Sequence, residues 1–378
     1  MKYRLDDIFD LQMGKTPSRN NLEYWETQDN KWISIGDLSQ SGKYISKTKE
    51  YLSNEAVRQS VIKIIPAGTV IMSFKLSIGK TAITQEDMYS NEAIMAFHDK
   101  KVVEMLPEYI YYLFKCKDWD KGTNKAVMGK TLNKATLSQI QVDICSIEEQ
   151  HRIVKNLNDV SEFIDNIKML QDDLDMLIKS RFVEMFGKCG NLMKLEELCS
   201  IITDGTHQPP KFQDAGIPFI FVSNLAGDKI TYNAEKFISE ETYNELYKRT
   251  PIEKGDVLLS TVGSYGHPAV VEEDRKFLFQ RHIAYLKPKC DLINSYYLHG
   301  ALLAPDGQRQ IEERVKGIAQ KTLNLSEIRR IMIPVPSMEQ QKQFEQFTHQ
   351  TDKLKVELQK TMNETQILFD SLMQKYFG

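Results

Sequence analysis

The chain has 378 residues, 41% hydrophobic and 27% charged, with 49 Lys+Arg against 52 Asp+Glu and a formal net charge of -3. That describes a folded chain of two or three domains rather than a disordered one, and it lacks the basic excess an autonomous nucleic-acid binder usually shows. No apolar run approaches the ~20 residues of a membrane span, the five cysteines have no CxxC spacing for zinc or a disulfide framework, and MKYRLDDIFD is not a signal peptide, so a cytoplasmic protein is expected.

Residues 1–145 read as a β-rich mixed domain. Apolar, β-branched and aromatic runs such as TVIMSF (69–74) are bounded by Gly and Pro, and PEYIYYLFKC (107–116) is a short helix. A lysine cluster follows at Lys115, Lys117, Lys121, Lys125, Lys130 and Lys134. After KTLN (130–133) and the extended IQVDIC (140–145), Ser146 and Glu149 fit a capping box that opens a long helix over 146–190. Its apolar residues run Ile153, Leu157, Val160, Ile164 and Ile167, then slip one step to Leu170, Leu174 and Leu177. Steps of 3 and 4 indicate a coiled-coil seam.

Residues 191–336 form a second β-rich domain, with FIFVSN (219–224) as a strand run. KTLN recurs at 321–324, IMIPVP (331–336) is held extended by its prolines, and Ser337 with Gln340 opens a second long helix over 337–378. Its seam is Phe344, Phe347, Leu354, Leu358, Leu368 and Leu372, with Thr351, Thr361 and Thr365 between. Two helices with such stripes are expected to pack on each other, antiparallel, with the globular parts at opposite ends.

The halves are copies. YRLDDIF (3–9) resembles MKLEELC (193–199), WISIGDLS (32–39) matches FIFVSNLA (219–226), and PAGTVIMSFKLSIGK (66–80) matches EKGDVLLSTVGSYGH (253–267). NEAIMAF (91–97) resembles QRHIAYL (280–286) at a similar offset, which makes one duplication of the whole unit. The predicted fold class is therefore α+β: a tandem repeat of two β-rich mixed domains separated by two long helices that form an antiparallel coiled coil.

Enzymatic motifs are missing. GKT occurs at 14–16, 79–81 and 129–131, but a phosphate loop needs Gly five residues before the GK glycine, where Phe9, Phe74 and Asn124 stand. There is no HExxH, no GxSxG and no helical His pair. No catalytic residue and no metal ligand is assigned, and a noncatalytic protein is expected.

The paired KTLN segments, each feeding a long helix through SIEEQ or SMEQQ, resemble the specificity (S) subunit of type I restriction-modification systems, as do DGTHQPPKF (204–212), VSNL (222–225) and TVGSYGH (261–267). The resemblance covers essentially the whole chain. It implies two target-recognition domains, each reading half of a split double-stranded DNA target, and helices that set the spacer and dock two modification (M) subunits. S-adenosylmethionine would reside in the M subunits, ATP and Mg2+ in restriction (R) subunits, and no cofactor in this chain; no membrane is involved. The alternative from the residues alone is an adaptor whose twin domains bind polypeptides across a coiled-coil spacer.

Base reading needs donors and acceptors on exposed loops. In the first domain the candidates are Lys15, Thr16, Ser18 and Arg19, then Lys75, Ser77 and Lys80, then Lys125 and Lys130. In the second they are Thr206, His207, Gln208 and Lys211, then Ser264, Tyr265 and His267, then Arg314 and Lys321. Trp32 is expected in the core.

Overall fold

The computed structural model describes residues 1–75, 77–119, 124–126, 129–225, 227–317 and 321–378. It divides into two compact units, Met1–Asn166 with Thr361–Gly378, and Ile167–Lys360. Among the described residues, no helix is long and apolar enough to cross a membrane.

The first unit is built on a mixed sheet. Strands β1 (Phe9–Met13), β2 (Tyr44–Ile45), β3 (Val70–Ser73), β4 (Thr81–Thr84) and β5 (Ile94–Asp99) lie in the order β1-β5-β3-β4-β2. Strand side chains alternate between faces. Val70 and Met72 therefore join one core with Phe9, Phe97 and helix α1 (Pro107–Cys116), while Ile71 joins another with Ile33, Leu38 and Ile94. Burial on both faces explains why VIMS is apolar throughout, with only the fully buried Ser73 polar. Lys2–Arg4 pairs antiparallel with Gln141–Asp143, so the start of the domain meets the strand that follows KTLN. Trp32 is buried, and Trp25 meets it edge to face at 5.0 Å.

The second unit repeats the plan. Strands β6 (Cys199–Asp204), β7 (Val257–Ser260), β8 (Pro268–Val270) and β9 (Ile283–Pro288) lie in the order β6-β9-β7-β8. Val257 and Leu259 face one core, Leu258 the other. Leu192–Lys194 pairs with Met332–Pro334, matching the closing ladder of the first unit.

The long helices are α2 (Ile147–Phe186) and α3 (Met338–Phe377), each 40 residues and so about 60 Å at ~1.5 Å per residue. Each contributes a part to both units. Within the second unit Gln171 donates to Gln359 at 3.2 Å, Lys355 pairs with Asp175, and the Phe182 and Phe344 rings meet at 5.3 Å. As the number rises on one helix it falls on the other, which makes the pair antiparallel. Within the first unit Ile153, Val154 and Leu157 pack with Phe369, Leu372 and Met373 against α1. The ends of the stripe thus serve the domain cores as well as helix pairing.

The seam differs from the expected one in its middle. Ile153, Leu157, Ile164 and Ile167 are buried and Val160, Leu174, Phe347, Leu358 and Leu372 partly so, with Phe344 fully buried. Leu170, Leu177, Leu354 and Leu368, about half exposed, are not seam residues. No slip occurs: the heptad runs on through Gln171, Leu174 and Ile178, and through Thr348, Thr351, Lys355 and Leu358 on α3. Gln171 and Lys355 hold seam positions by finding partners across it, whereas Thr348 and Thr351 return their hydroxyls to the Glu345 and Phe347 carbonyls of their own helix; a search for apolar spacing passes all four over.

The glutamine that ends SIEEQ and SMEQQ is a structural anchor. Gln150 is fully buried, donates to the Glu104 and Cys145 carbonyls at 2.9 and 3.0 Å, and accepts the Leu106 N–H at 2.9 Å. Gln341, also fully buried, donates to the Leu292 and Pro336 carbonyls at 3.1 Å each and accepts the Asn294 N–H at 2.8 Å. The capping box is complete only at α3, where Ser337 and Gln340 bond reciprocally. At α2 the Glu149 carboxylate turns instead to Arg152, at 2.9 Å.

Candidate nucleic-acid interface

In each unit three loops meet at one end of the sheet, and their backbones are held by the same bonds. The first follows the strand that opens the domain: Gly14 N–H donates to Ile94 O (3.1 Å) and Lys15 N–H to Ser90 O (2.8 Å); Gly205 donates to Ile283 O (3.2 Å) and Thr206 to Phe279 O (3.0 Å). A Cβ at Gly14 would collide with the Ser90 and Asn91 carbonyls, and one at Gly205 with those of Phe279 and Gln280. The glycine of the first GKT therefore serves close backbone approach.

The second loop is the turn after β3 or β7. The hydroxyl of buried Ser73 accepts the Lys80 N–H at 3.1 Å, and that of Ser260 accepts the His267 N–H at 2.9 Å. Gly79 and Gly266 sit in these turns at φ +88° and +82°, which side-chain-bearing residues rarely adopt. The third loop is KTLN itself: Leu132 N–H donates to Phe74 O (3.1 Å) and Leu323 N–H to Thr261 O (2.8 Å). KTLN thus closes the loop cluster in each domain.

The first-domain candidates divide by their partners. Thr16 bonds Glu92, and Lys75 lies 5.3 Å over the Phe74 ring. The Thr16 hydroxyl, helped by the charges of Lys75 and Arg19, holds the Glu92 carboxyl below its usual range against the opposing effect of desolvation. Lys80 reaches the Ser39 hydroxyl at 2.5 Å, and Lys15 the Ser60 carbonyl at 2.6 Å. Arg19 is paired on both nitrogens with Glu50 and stacked 3.7 Å over Trp25, so it braces the first loop. Ser18 lends its carbonyl to Trp25 Nε1 at 3.0 Å, and Ser77 takes the Ser73 hydroxyl on its own. Lys125 and Lys130 face each other across a two-stranded hairpin, their side chains outside what is described; Lys121 lies outside the described residues.

In the second domain Asp204 holds His207 and Arg249, each at 2.9 Å. Tyr265, Lys321 and Glu312 form one cluster, with Lys321 Nζ 2.9 Å from Glu312 and 3.2 Å from the Tyr265 hydroxyl. His267 Nδ1 lies 2.8 Å from Asp228, and Arg314 donates to the Gln310 carbonyl at 2.9 Å. Gln208, Lys211 and Ser264 are exposed. A cleft of about 500 Å3 at this end is lined by Asp204, Thr261, Arg281, His282, Leu323 and Asn324. The sequence reading passed over Glu92, Arg249, Arg281 and His282, although the matched segments NEAIMAF and QRHIAYL contain three of them.

Two loops outside these clusters tie to the long helices. Lys43 donates to Asn158 Oδ1 on α2 at 2.7 Å in the first unit, and Lys229 lies 3.3 Å from Asp352 on α3 in the second.

Comparison with known proteins adds to this geometry. The family model described as "Type I restriction modification DNA specificity domain" matches twice, at residues 1–175 and 191–366. The MjaIX specificity subunit of a type I restriction enzyme from Methanocaldococcus jannaschii is 24% identical over 88% of this chain and 82% of its own. The EcoBI specificity subunit from Escherichia coli is 29% identical over 46% of this chain and 37% of its own. Among solved structures, a type I restriction-modification S subunit from M. genitalium covers 100% of this chain and 96% of its own at a TM-score of 0.52 and 15% identity. A chain from a structural study of assembly of the type I restriction-modification system covers 100% and 97% at a TM-score of 0.61 and 18% identity.

Proposed function

Because the chain belongs to the family of type I restriction-modification DNA specificity subunits, we propose that each domain reads one half of a split double-stranded DNA target through its loop cluster. The observation that supports this most is the pair of loop clusters, alike in backbone bonding and unlike in the side chains they present. A reader of two different half-sites needs that combination, since the frame must be common and the donors and acceptors must differ.

The long helices set the spacer between the half-sites and dock two M subunits. Met169, Leu170, Met176, Leu177, Leu354 and Val356, all exposed on α2 and α3 in the second unit, offer apolar surface for that docking. The M subunits would bind S-adenosylmethionine and methylate adenine, and R subunits would bring ATP and Mg2+, leaving this chain a noncatalytic role. The near-neutral charge fits a subunit whose partners supply much of the phosphate neutralisation.

The test is methylome sequencing of cells carrying the M subunit with and without this chain. One split motif should gain adenine methylation only when the chain is present, and an unchanged methylome in an otherwise active system rejects the reading.

A further inference from the structure

Residues 91–93 and 280–282 occupy the same turn in their respective units. Asn91 N–H donates to Ile33 O at 3.1 Å and Gln280 N–H to Ile220 O at 3.1 Å; Ile94 N–H returns to Asn91 O at 3.2 Å and Ile283 N–H to Gln280 O at 3.1 Å. Phe74 N–H reaches Ala93 O at 3.0 Å and Thr261 N–H reaches His282 O at 2.9 Å. These bonds place Glu92 and Arg281 at one equivalent position, beside the loops that carry Thr16 in one domain and His207 in the other. Both side chains are exposed. The duplication therefore preserves the backbone here and reverses the charge.

Neither group is consumed by its surroundings. Glu92 accepts from the Thr16 hydroxyl through one oxygen. The Arg281 Nε donates to His282 Nε2 at 3.3 Å, and among the described residues no carboxylate lies within 4 Å of its guanidinium. Arg19, the arginine among the first-domain candidates, is by contrast already bound on both terminal nitrogens.

We propose that position 92/281 selects the base class in each half-site: Glu92 accepts a hydrogen bond from a cytosine N4 amine, and Arg281 donates its fork to guanine O6 and N7. A carboxylate has acceptors only, so it needs a donor in the major groove. In the major groove the cytosine amine has an acceptor on one side only, the O6 of its paired guanine, whereas the adenine amine stands between its own N7 and the thymine O4, whose lone pairs repel a carboxylate from both sides. Arginine has donors only, and guanine alone presents two adjacent acceptors. A bare carboxylate would also be repelled by phosphates, and Lys75 and Arg19 around Glu92 offset that repulsion. The proposal rests on the DNA-reading function given above.

The experiment uses the full chain in complex with its M subunit and scores methylation of a DNA library randomised at the target bases. Wild type must first methylate one split motif; failure there removes the functional reading itself. Given that motif, Glu92→Gln is expected to exchange cytosine for adenine at one position, because a glutamine amide pairs with adenine N6 and N7. Arg281→Ala should lose a guanine preference of roughly 10- to 100-fold at one position of the opposite half. Unaltered base preference in both variants overturns the proposal, and so does methylation that falls uniformly over all sequences, which would assign the side chains to phosphate contact or to folding. Changes confined to the same half for both variants overturn it as well.

Discussion

The side-chain amide of Gln341 satisfies two carbonyls and one N–H that have left water with it. Truncation strands these groups, each at about 1–3 kcal/mol, so Gln341→Ala should destabilise the second unit by roughly 3 kcal/mol or more, and Gln150→Ala the first by a similar amount. Urea unfolding of the variants measures it, and a loss below about 1 kcal/mol would show that water replaces the amide. His299 supplies a pH-dependent counterpart. Burial lowers its pKa from the ordinary 6.5, with its Nε2 3.0 Å from the Asp228 carbonyl opposing that shift. The fold therefore binds the neutral ring more tightly: stability is fully present above about pH 6.5 and is lost as pH falls through the depressed folded pKa. Thermal melts between pH 7.5 and 5 should drop more steeply for wild type than for His299→Asn.

At the scale of the helix, the difference between seam and outer face can be tested with one residue type. Leu157 is fully buried and Leu170 is 50% exposed, although apolar spacing alone ranks them alike. Leu157→Ala should cost about 2–5 kcal/mol, whereas Leu170→Ala should lie within about 0.5 kcal/mol in stability and instead weaken association with the M subunit. Chemical denaturation and co-purification separate the two effects. How far the sequence carries depends on whether a contact leaves a periodic or repeated trace. The PEYIYYLFKC helix, the strands of both domains and the antiparallel helices all left one, in apolar runs bounded by Gly and Pro, capping residues or heptads. The Gln171–Gln359 pair left none, because a polar residue at a seam position becomes legible only once its partner on the other helix is known. For the same reason Arg19 read as a candidate for base contact: its Glu50 partner lies on a strand that folds against it from further along the first domain, although Trp25 stands only a few residues away.

For the whole molecule, the placing of each loop cluster within a single unit predicts modular exchange. Replacing residues 1–145 with the first domain of another family member should alter one half of the methylated motif and leave the other half unchanged, as methylome sequencing would show. Changes in both halves would mean that the domains read DNA jointly. The composition of the units has a further consequence, for synthesis. Ile167–Lys360 is one continuous stretch, whereas the other unit needs residues 361–378 to complete it. Until these emerge from the ribosome, Tyr109, Leu157 and their neighbours lack the cover that Phe369, Leu372 and Met373 provide. The domain translated first is thus the last to be closed, and while the second is being made the nascent chain carries an uncovered apolar face of the kind that chaperones recognise.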